Sequence, residues 1–483
     1  MNEEEKNRII EEAEKLLQEV NPFGPPTEKP FLKFSAYPGE DELVKSFKAN
    51  KTSGTYLIAE HLVHNHNIIT VGEKEREMFV YQDGYYKPAE NLVIFPEIQR
   101  ILKDQVTKNA KTETLHKIAD MTTHPRSIFD SAPITKIPLK NGVYDYKTKL
   151  LTPHFPDYRF NFQFPIVHNE NAKCTKTEAF FDQILSPEQR MIFEEWLGFY
   201  FMRNYMFKKA MIFVGEGDTG KTTLLEVITN LLGKENLSSI SLQKMSSDKF
   251  SAAHLYGKHG NLVDELSAKD ISDTGSFKVA TGGGSITGEY KFGNQFSFVN
   301  YSKFTFACNR IPDVTDTNDQ AYFNRWMIIR FEKKIEKKIP NFIATLTSEE
   351  ERSGLFNLAM KGLERLIEQG RFTYNNTADE TKIEMMRSGS SIAMFASEMI
   401  VREDSYEITK DDMYEAYLDY CKENNLSTQT KDMLGKSLPG YINYISDSLL
   451  TSSGRKQIRG WRNAKILSDK KPQDFGDFEN IKI

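Results

Sequence analysis

Residues Gly215-Glu216-Gly217-Asp218-Thr219-Gly220-Lys221-Thr222-Thr223 carry glycines, a lysine and hydroxyls at the spacing GxxxxGK[ST]. In that pattern backbone N–H groups turn inward around a polyphosphate, the lysine meets the β and γ phosphates, and the first hydroxyl takes Mg²⁺. ATP and Mg²⁺ are therefore the expected ligands, with Thr222 as a metal-holding residue. The chemistry needs a strand before the loop and a helix after it, so that the helix dipole adds to the N–H cradle. Both are legible: 211–214 is an apolar run and 222–232 has helical periodicity.

Three further groups could complete such a site. An apolar strand is expected at 261–266, with Asp264 and Glu265 towards its end; Asp264 can hold Mg²⁺ while Glu265 polarises an attacking water. Two acids at a strand end also suit a solvated edge. A second apolar strand, 304–307, ends at Cys308 and Asn309, where an amide can sense a γ-phosphate or orient water without adding charge, or simply bond backbone in a turn. Arg325 precedes the apolar strand 327–331. It is a candidate cation for the transferring phosphoryl of a neighbouring subunit, or a member of a surface ion pair.

The elements that must hold these residues follow from pattern. Apolar strand, glycine turn, helix and further apolar strands from Ala210 onward predict a parallel α/β sheet. Ser186, Pro187 and Gln189 predict a capped helix through Trp196, Leu197 and Phe201. Residues 33–170 read as α+β, with hairpin turns at Asp83-Gly84 and Asn141-Gly142. Residues 3–19 read as a short helix, followed by a linker with Pro22, Pro25, Pro26 and Pro30. After Phe331 a helical face formed by Leu355, Leu358, Ala359, Leu363 and Leu366 is expected, then a joint at 388–391. A last unit should hold helices near 395–400, 411–424 and 431–438, with strands after them. The expected division is 1–30, 31–184, 185–340, 341–390, 391–470 and a tail at 471–483.

With 483 residues, 39% of them hydrophobic and 12% aromatic, the chain can fill several cores and is not a disordered protein. A net charge of −5 means that nucleic acid would have to be held by local basic surfaces. Three cysteines far apart, at 174, 308 and 421, exclude a disulfide scaffold and favour a reducing cytoplasm. No apolar run reaches the ~20 residues of a membrane span, and neither export nor membrane insertion is expected. His61, His64 and His66 have no accompanying ligand pattern, so a metal site there is not expected.

Taken in order, the P-loop, the acidic pair, a glycine-rich segment with a lysine-aromatic hairpin, the Asn-ended strand and the downstream Arg resemble superfamily III replicative helicases. The resemblance spans roughly 185–335 and is nearest to the primase-helicase branch of phages, plasmids, mobile genomic islands and poxviruses. Asn141-Gly-Val-Tyr-Asp145 and Glu194-Glu-Trp-Leu-Gly198 resemble the region that precedes the motor in that branch. The resemblance implies a multi-domain α/β protein: an N-terminal α+β and helical collar region, a central AAA+-like ATPase with a parallel sheet, and a C-terminal winged helix. It implies a hexameric, ATP-dependent DNA helicase, a Rep-like replication initiator, moving 3′ to 5′. The implied site joins Lys221, Thr222, Asp264, Glu265 and Asn309 of one subunit to Arg325 of the next.

In such proteins the segment 281–296 carries a hairpin that enters the ring pore. Arms at 286–290 and 295–299 would put Lys291 and Phe292 near its tip, a cation for phosphates and a ring for sugar or base. An ordinary surface hairpin is the alternative. Relatives often place an acid after the first glycines, whereas Gly284-Ser285 stands here, so no role of that acid carries over. Arg455, Lys456 and Arg459 lie in a basic, acid-free stretch and would serve a DNA-contacting wing, or form a solvated face. Paired polymerase-type aspartates and a zinc ribbon are not recognisable upstream, so a primase is expected as a separate partner among other replisome proteins. Single- and double-stranded DNA and a second copy of the chain are the remaining expected partners. Other readings of the same P-loop are a protein-remodelling ATPase and an origin-binding protein with nucleotide as a switch.

Overall fold

The computed structural model describes residues 39–467, except 73–75, 89–92, 249, 268–270, 272, 290–294, 313, 315–318, 336–338, 340, 390, 425, 427, 443 and 452–456. The expected helix at 3–19, the proline linker and the tail at 471–483 lie outside the described residues.

The chain opens with helices α1 (Glu40–Ala49) and α2 (Lys51–Asn65), separated by Asn50, whose side chain caps the second by accepting from the Ser53 amide at 3.0 Å. Strands β1 (Ile68–Val71), β2 (Glu77–Gln82), β3 (Tyr85–Pro88) and β4 (Thr123–His124) form a sheet in the order β3-β2-β1-β4, with α3 (Phe95–Leu102) and α4 (Lys108–Thr122) against it. Gln82 pairs with Tyr85, so Asp83-Gly84 is the two-residue turn that was expected; both residues have positive φ, 51° and 94°.

The second hairpin is shifted by one residue from expectation. Strands β5 (Lys136–Leu139) and β6 (Gly142–Asp145) pair Leu139 with Gly142, so the turn is Lys140-Asn141. Two long-range contacts explain the shift. Asn141 bonds the backbone of His168 through both ends of its amide, at 2.9 Å each. Gly142 lies where a Cβ would sit 2.7 Å from the Thr152 carbonyl oxygen of β7 (Leu150–Thr152).

One hydrophobic core runs from Ala132 to Met385 and contains β5 and β6 together with the central sheet. No break between cores occurs at residue 184. Helices α5 (Thr175–Ile184) and α6 (Pro187–Phe199) lead into that sheet, the latter opening with the expected capping box between Ser186 and Gln189. The sheet holds β8 (Ala210–Gly215), β9 (Leu237–Ser238), β10 (Gly260–Val263), β13 (Lys303–Cys308) and β14 (Trp326–Phe331) in the order β14-β8-β13-β10-β9, with every pairing parallel. Strands buried on both faces read as continuous apolar runs, which is why β8, β13 and β14 were legible. The hairpin β11 (Ser285–Glu289) and β12 (Gln295–Val299) stands apart as its own two-stranded sheet.

Helix α7 (Lys221–Leu232) packs on the sheet behind the P-loop, and α12 (Glu349–Gln369) carries the apolar face predicted after Phe331. Here α12 crosses α6 at two glycines. A Cβ on Gly362 would lie 2.2 Å from the Glu194 carbonyl oxygen, and one on Gly198 would lie 2.5 Å from that of Ala359. At the same crossing the buried Glu195 accepts from Arg365 and from the Thr373 amide, both at 2.8 Å. Gly362→Ala should therefore destabilise by about 1–3 kcal/mol through overpacking, although helix propensity alone would favour alanine by about 1 kcal/mol. A denaturation midpoint at or above that of the parent would show that the two helices can move apart.

The last unit has its own core and the element order α13 (Ala378–Gly389), α14 (Ser391–Met399), β15 (Ile400–Thr409), α15 (Lys410–Glu423), α16 (Lys431–Tyr441), β16 (Ser446–Thr451), β17 (Gln457–Ile466). Its core begins with α14; α13 leads into it. The helix expected at 395–400 ends at Met399, and strand β15 that follows was not expected. It is mostly exposed and polar, Ile400 and Ile408 alone being buried, and its pairing with β17 shifts register between Arg402 and Glu407. A strand held by its partner's backbone rather than by an apolar face leaves little trace in sequence.

Candidate functional site

The P-loop sits at the end of β8, a strand flanked by β13 on one side and β14 on the other. Gly215 pairs with Phe331, the loop 216–220 follows, and α7 starts at Lys221. Asp218 and Gly220 turn the chain with φ of 61° and 95°. The Thr219 hydroxyl donates to the Glu216 carbonyl at 2.9 Å and closes the loop on itself. The segment after β14 clasps it from outside. The Ile335 amide donates to the Asp218 carbonyl at 2.8 Å, and the Lys334 ammonium meets the Glu216 carboxylate at 2.6 Å. A Cβ on Gly220 would touch Ile184 and Ile335 at 3.3 Å, so the last turn of α5 and this clasp also bound the loop. Gly217 has open space around it, and Thr223 is half-buried on α7.

The Lys221 ammonium donates to the Gly215 and Glu216 carbonyls at 2.6 Å each and lies 3.4 Å from Asn309 Oδ1. Burial pushes its pKa below the ordinary lysine value. A cation bonded to neutral carbonyls in this way is poised to exchange them for anionic oxygens. Asn309 follows β13, whose Cys308 pairs with Val214 of β8, so the register brings the amide beside the loop. Leu266 donates its amide to Ala307 at 2.8 Å and so holds the 264–266 turn against β13. Strand β10 ends at Val263, earlier than the expected 266. Asp264 and Glu265 thus stand beyond it, both exposed, and Asp264 Oδ1 accepts from the Thr222 hydroxyl at 3.1 Å. A hydroxyl and a carboxylate side by side at an open mouth are hard oxygen donors. Mg²⁺ takes few protein ligands and completes its shell with water and phosphate oxygens, so this pair fits it.

Arg325 is not brought to this mouth. Trp326 pairs with Ala210 and Phe331 with Gly215, so Arg325 lies at the opposite end of the sheet, about 20 Å from the P-loop at ~3.3 Å per residue. Its guanidinium donates to the Ala321 carbonyl and, at 3.3 Å, to the Lys278 carbonyl. Half-burial lowers its pKa, with Asp319 working in the other direction. Lys209 lies nearby; burial, helped by the Arg325 charge, pushes it down to about 8.

The hairpin arms pair from Ser285↔Val299 to Glu289↔Gln295, close to the expected 286–290 and 295–299. Phe296 and Phe298 rest on Tyr256 at 5.4 Å each. Lys291 and Phe292 fall outside the described residues, as do Arg455 and Lys456; Arg459 is exposed on β17 opposite Leu449. Sequence reasoning missed Lys334, Ile335, Lys278 and Asp319. Only Asp319 had a local signal, as the N-cap of a short helix.

A parallel sheet with a glycine-rich strand-to-helix loop, a lysine at its apex and a Thr–Asp pair beside it defines a P-loop nucleotide-binding fold. Three family profiles match successive parts of the chain: "D5 N terminal like" over 72–186, a family of unknown function (DUF5906) over 213–325, and "Poxvirus D5 protein-like" over 389–480. A candidate helicase of Acanthamoeba polyphaga mimivirus, L207/L206, is 23% identical over 310 residues, covering 58% of this chain and 30% of that protein. A candidate helicase of Invertebrate iridescent virus 6, 184R, is 28% identical over 232 residues, covering 42% and 23%. The chain thus spans about a quarter to a third of these relatives. The C-terminal region of NrS-1, residues 305–718, superposes with a TM-score of 0.46 at 13% identity, covering 84% of this chain and 98% of that one. With both D5-type profiles flanking the P-loop sheet, the chain shows the expected similarity to superfamily III primase-helicases of the D5 type. Among the described residues, no helix is long and apolar enough to cross a membrane.

Proposed function

We propose that this chain is an ATP- and Mg²⁺-dependent DNA helicase that assembles as a homo-oligomeric ring, a hexamer by family resemblance, and acts in starting replication of a virus, phage, plasmid or mobile genomic island. The observation that carries the reading is the division of the site. Lys221, Thr222, Asp264 and Asn309 converge on one end of the sheet, while the remaining cation, Arg325, lies about 20 Å away. Such an arginine cannot serve its own loop and suits the loop of a neighbour.

In this mechanism the backbone of 215–220 and the α7 N-terminus bind the phosphates, and Lys221 trades its carbonyl partners for β and γ oxygens. Thr222 and Asp264 hold Mg²⁺, which neutralises phosphate charge when bound. Glu265 orients the attacking water, Asn309 senses the γ-phosphate, and the neighbour's Arg325 meets charge developing in the transition state. Ile184, Gln189, Arg330, Tyr374 and Glu384 line a cavity of about 320 Å³. A Cβ on Gly220 would lie 3.3 Å from Ile184, so this cavity adjoins the loop and is the proposed seat of the nucleoside.

The hairpin is the proposed moving part, with Lys291 and Phe292 gripping single-stranded DNA and translocation running 3′ to 5′. The element order of 391–467, one helix, a strand, two helices and two strands, supports a winged helix that offers Arg455, Lys456 and Arg459 to duplex DNA. Of the division 1–30, 31–184, 185–340, 341–390, 391–470 and 471–483, we retain the boundaries near 30, 390 and 470 as working ones, since the core from Ala132 to Met385 runs across those at 184 and 340; a cytoplasmic location and a primase supplied by another replisome protein complete the proposal.

The deciding experiment is strand displacement on forked DNA with 3′ or 5′ tails, with and without ATP. The expected result is ATP-dependent displacement of the 3′-tailed fork, lost in Lys221→Ala. DNA-independent ATPase with no displacement would favour a protein-remodelling machine, and DNA binding without multiple turnover would favour a nucleotide-switched origin binder.

A further inference from the structure

We infer that Asp319 is a positioning residue that ties the arginine of the subunit boundary to the hairpin, so that hydrolysis at one site is converted into motion of the other. The inference rests on the functional reading above.

Helix α9 (Gly275–Thr281) runs directly into the hairpin, and α10 (Gln320–Phe323) runs directly into Arg325. Asp319 joins the two helices. Its side chain is 8% exposed; Oδ1 accepts from the Tyr322 amide at 3.0 Å as the cap of α10, while Oδ2 accepts from Lys278 Nζ and the Thr274 hydroxyl of the α9 side, both at 2.6 Å. Despite the opposing effect of burial, these bonds hold its carboxyl below the usual carboxylate range.

Lys278 is gripped from two ends, its ammonium by Asp319 and its carbonyl by Arg325 at 3.3 Å. Beneath this grip Phe277 stacks on Trp326, with centroids 4.7 Å apart and planes 13° apart.

Both feet of the hairpin belong to the same unit. Strand β11 leaves α9 through Gly282, Gly283 and Gly284, with Gly283 at φ 73°. The exit from β12 is anchored by Asn300, whose amide donates to the Ala280 carbonyl at 2.8 Å. A guanidinium drawn toward a neighbour's phosphate must release the Lys278 carbonyl. With Asp319 in place the Lys278 side chain still ties α9 to α10, and the displacement passes into the hairpin. Without it, Arg325 moves and α9 stays behind.

The test is Asp319→Asn in the full chain, with Lys278→Met as a second variant that attacks the same tie from its other end. Basal ATPase should keep its kcat and its KM for ATP within about twofold, and the melting temperature should change little, while strand displacement per ATP falls at least about tenfold. The double variant should be no worse than either single one, because both remove the same tie. Asp319→Glu should recover part of the loss. Displacement and ATPase falling in equal proportion, or displacement at the parental rate, would overturn the inference. Should Asp319→Asn fail to fold, the Lys278→Met ratio decides alone. A parental protein that hydrolyses ATP yet never unwinds would sink the functional reading itself, and that result appears before any substitution is made.

Discussion

Lys221→Ala should leave a folded chain that has lost most of its expected nucleotide turnover. The ammonium is bonded to the Gly215 and Glu216 carbonyls and lies 3.4 Å from Asn309 Oδ1, partners at the loop itself, so its removal is felt there rather than in the strand pairing of the sheet. Its loss from a phosphate complex is larger. Charge-assisted bonds contribute about 1.5–3 kcal/mol each, so losing two to the β and γ oxygens lowers turnover by roughly 10²–10⁴-fold. Steady-state phosphate release with and without DNA reads the effect, and an unchanged melting temperature separates it from unfolding. Near-parental hydrolysis would remove the P-loop from the chemistry. Because burial holds the Lys221 pKa below that of a free lysine, its charged form is lost earlier as pH rises. The kcat/KM for nucleotide, which reports the free enzyme, should therefore decline on the alkaline side sooner than an exposed lysine would dictate.

Arg325→Ala should cost on the order of 10³-fold in turnover, the low end of the range for an arginine finger. Its carbonyl partners on Ala321 and Lys278 are exchanged for water at about 1 kcal/mol each, too little to explain such a loss through stability. Arg325→Lys should rescue only weakly, since a point charge cannot replace a planar fork. The arrangement across a boundary has a sharper consequence. Mixing Arg325→Ala with an Asp264→Asn or Glu265→Gln variant should regain part of the activity, because some boundaries then join an intact arginine to an intact loop. Mixed oligomers with no recovery would falsify the shared site and require an Arg325 role within one subunit.

How much of this was legible varies with the distance over which each feature is decided. The P-loop, the Ser186 capping box and the Asp83-Gly84 turn rest on neighbours within a few residues, and each was predicted on that basis. The Asn141-Gly142 turn was one residue out because His168 and Thr152 set its register. Strand β15 escaped notice because pairing with β17, not an apolar face, creates it. The single core from Ala132 to Met385 cuts across a boundary drawn from composition, since texture along a chain does not report which surfaces bury one another.

From the order of residues alone came the kind of chemistry: a phosphate cradle, a lysine, candidate metal donors and a distant arginine, because side-chain type and short-range backbone geometry are local properties. Folding settled which of these meet. Thr222 reaches Asp264 across 42 positions and Lys221 reaches Asn309 across 88, through the parallel register of β8, β10 and β13. The same register carries Arg325 to the far end of the sheet and binds it through Lys278 and Asp319 to the hairpin. Strand pairing fixes where a side chain arrives along the sheet, and it depends on contacts between segments that nothing in either segment records.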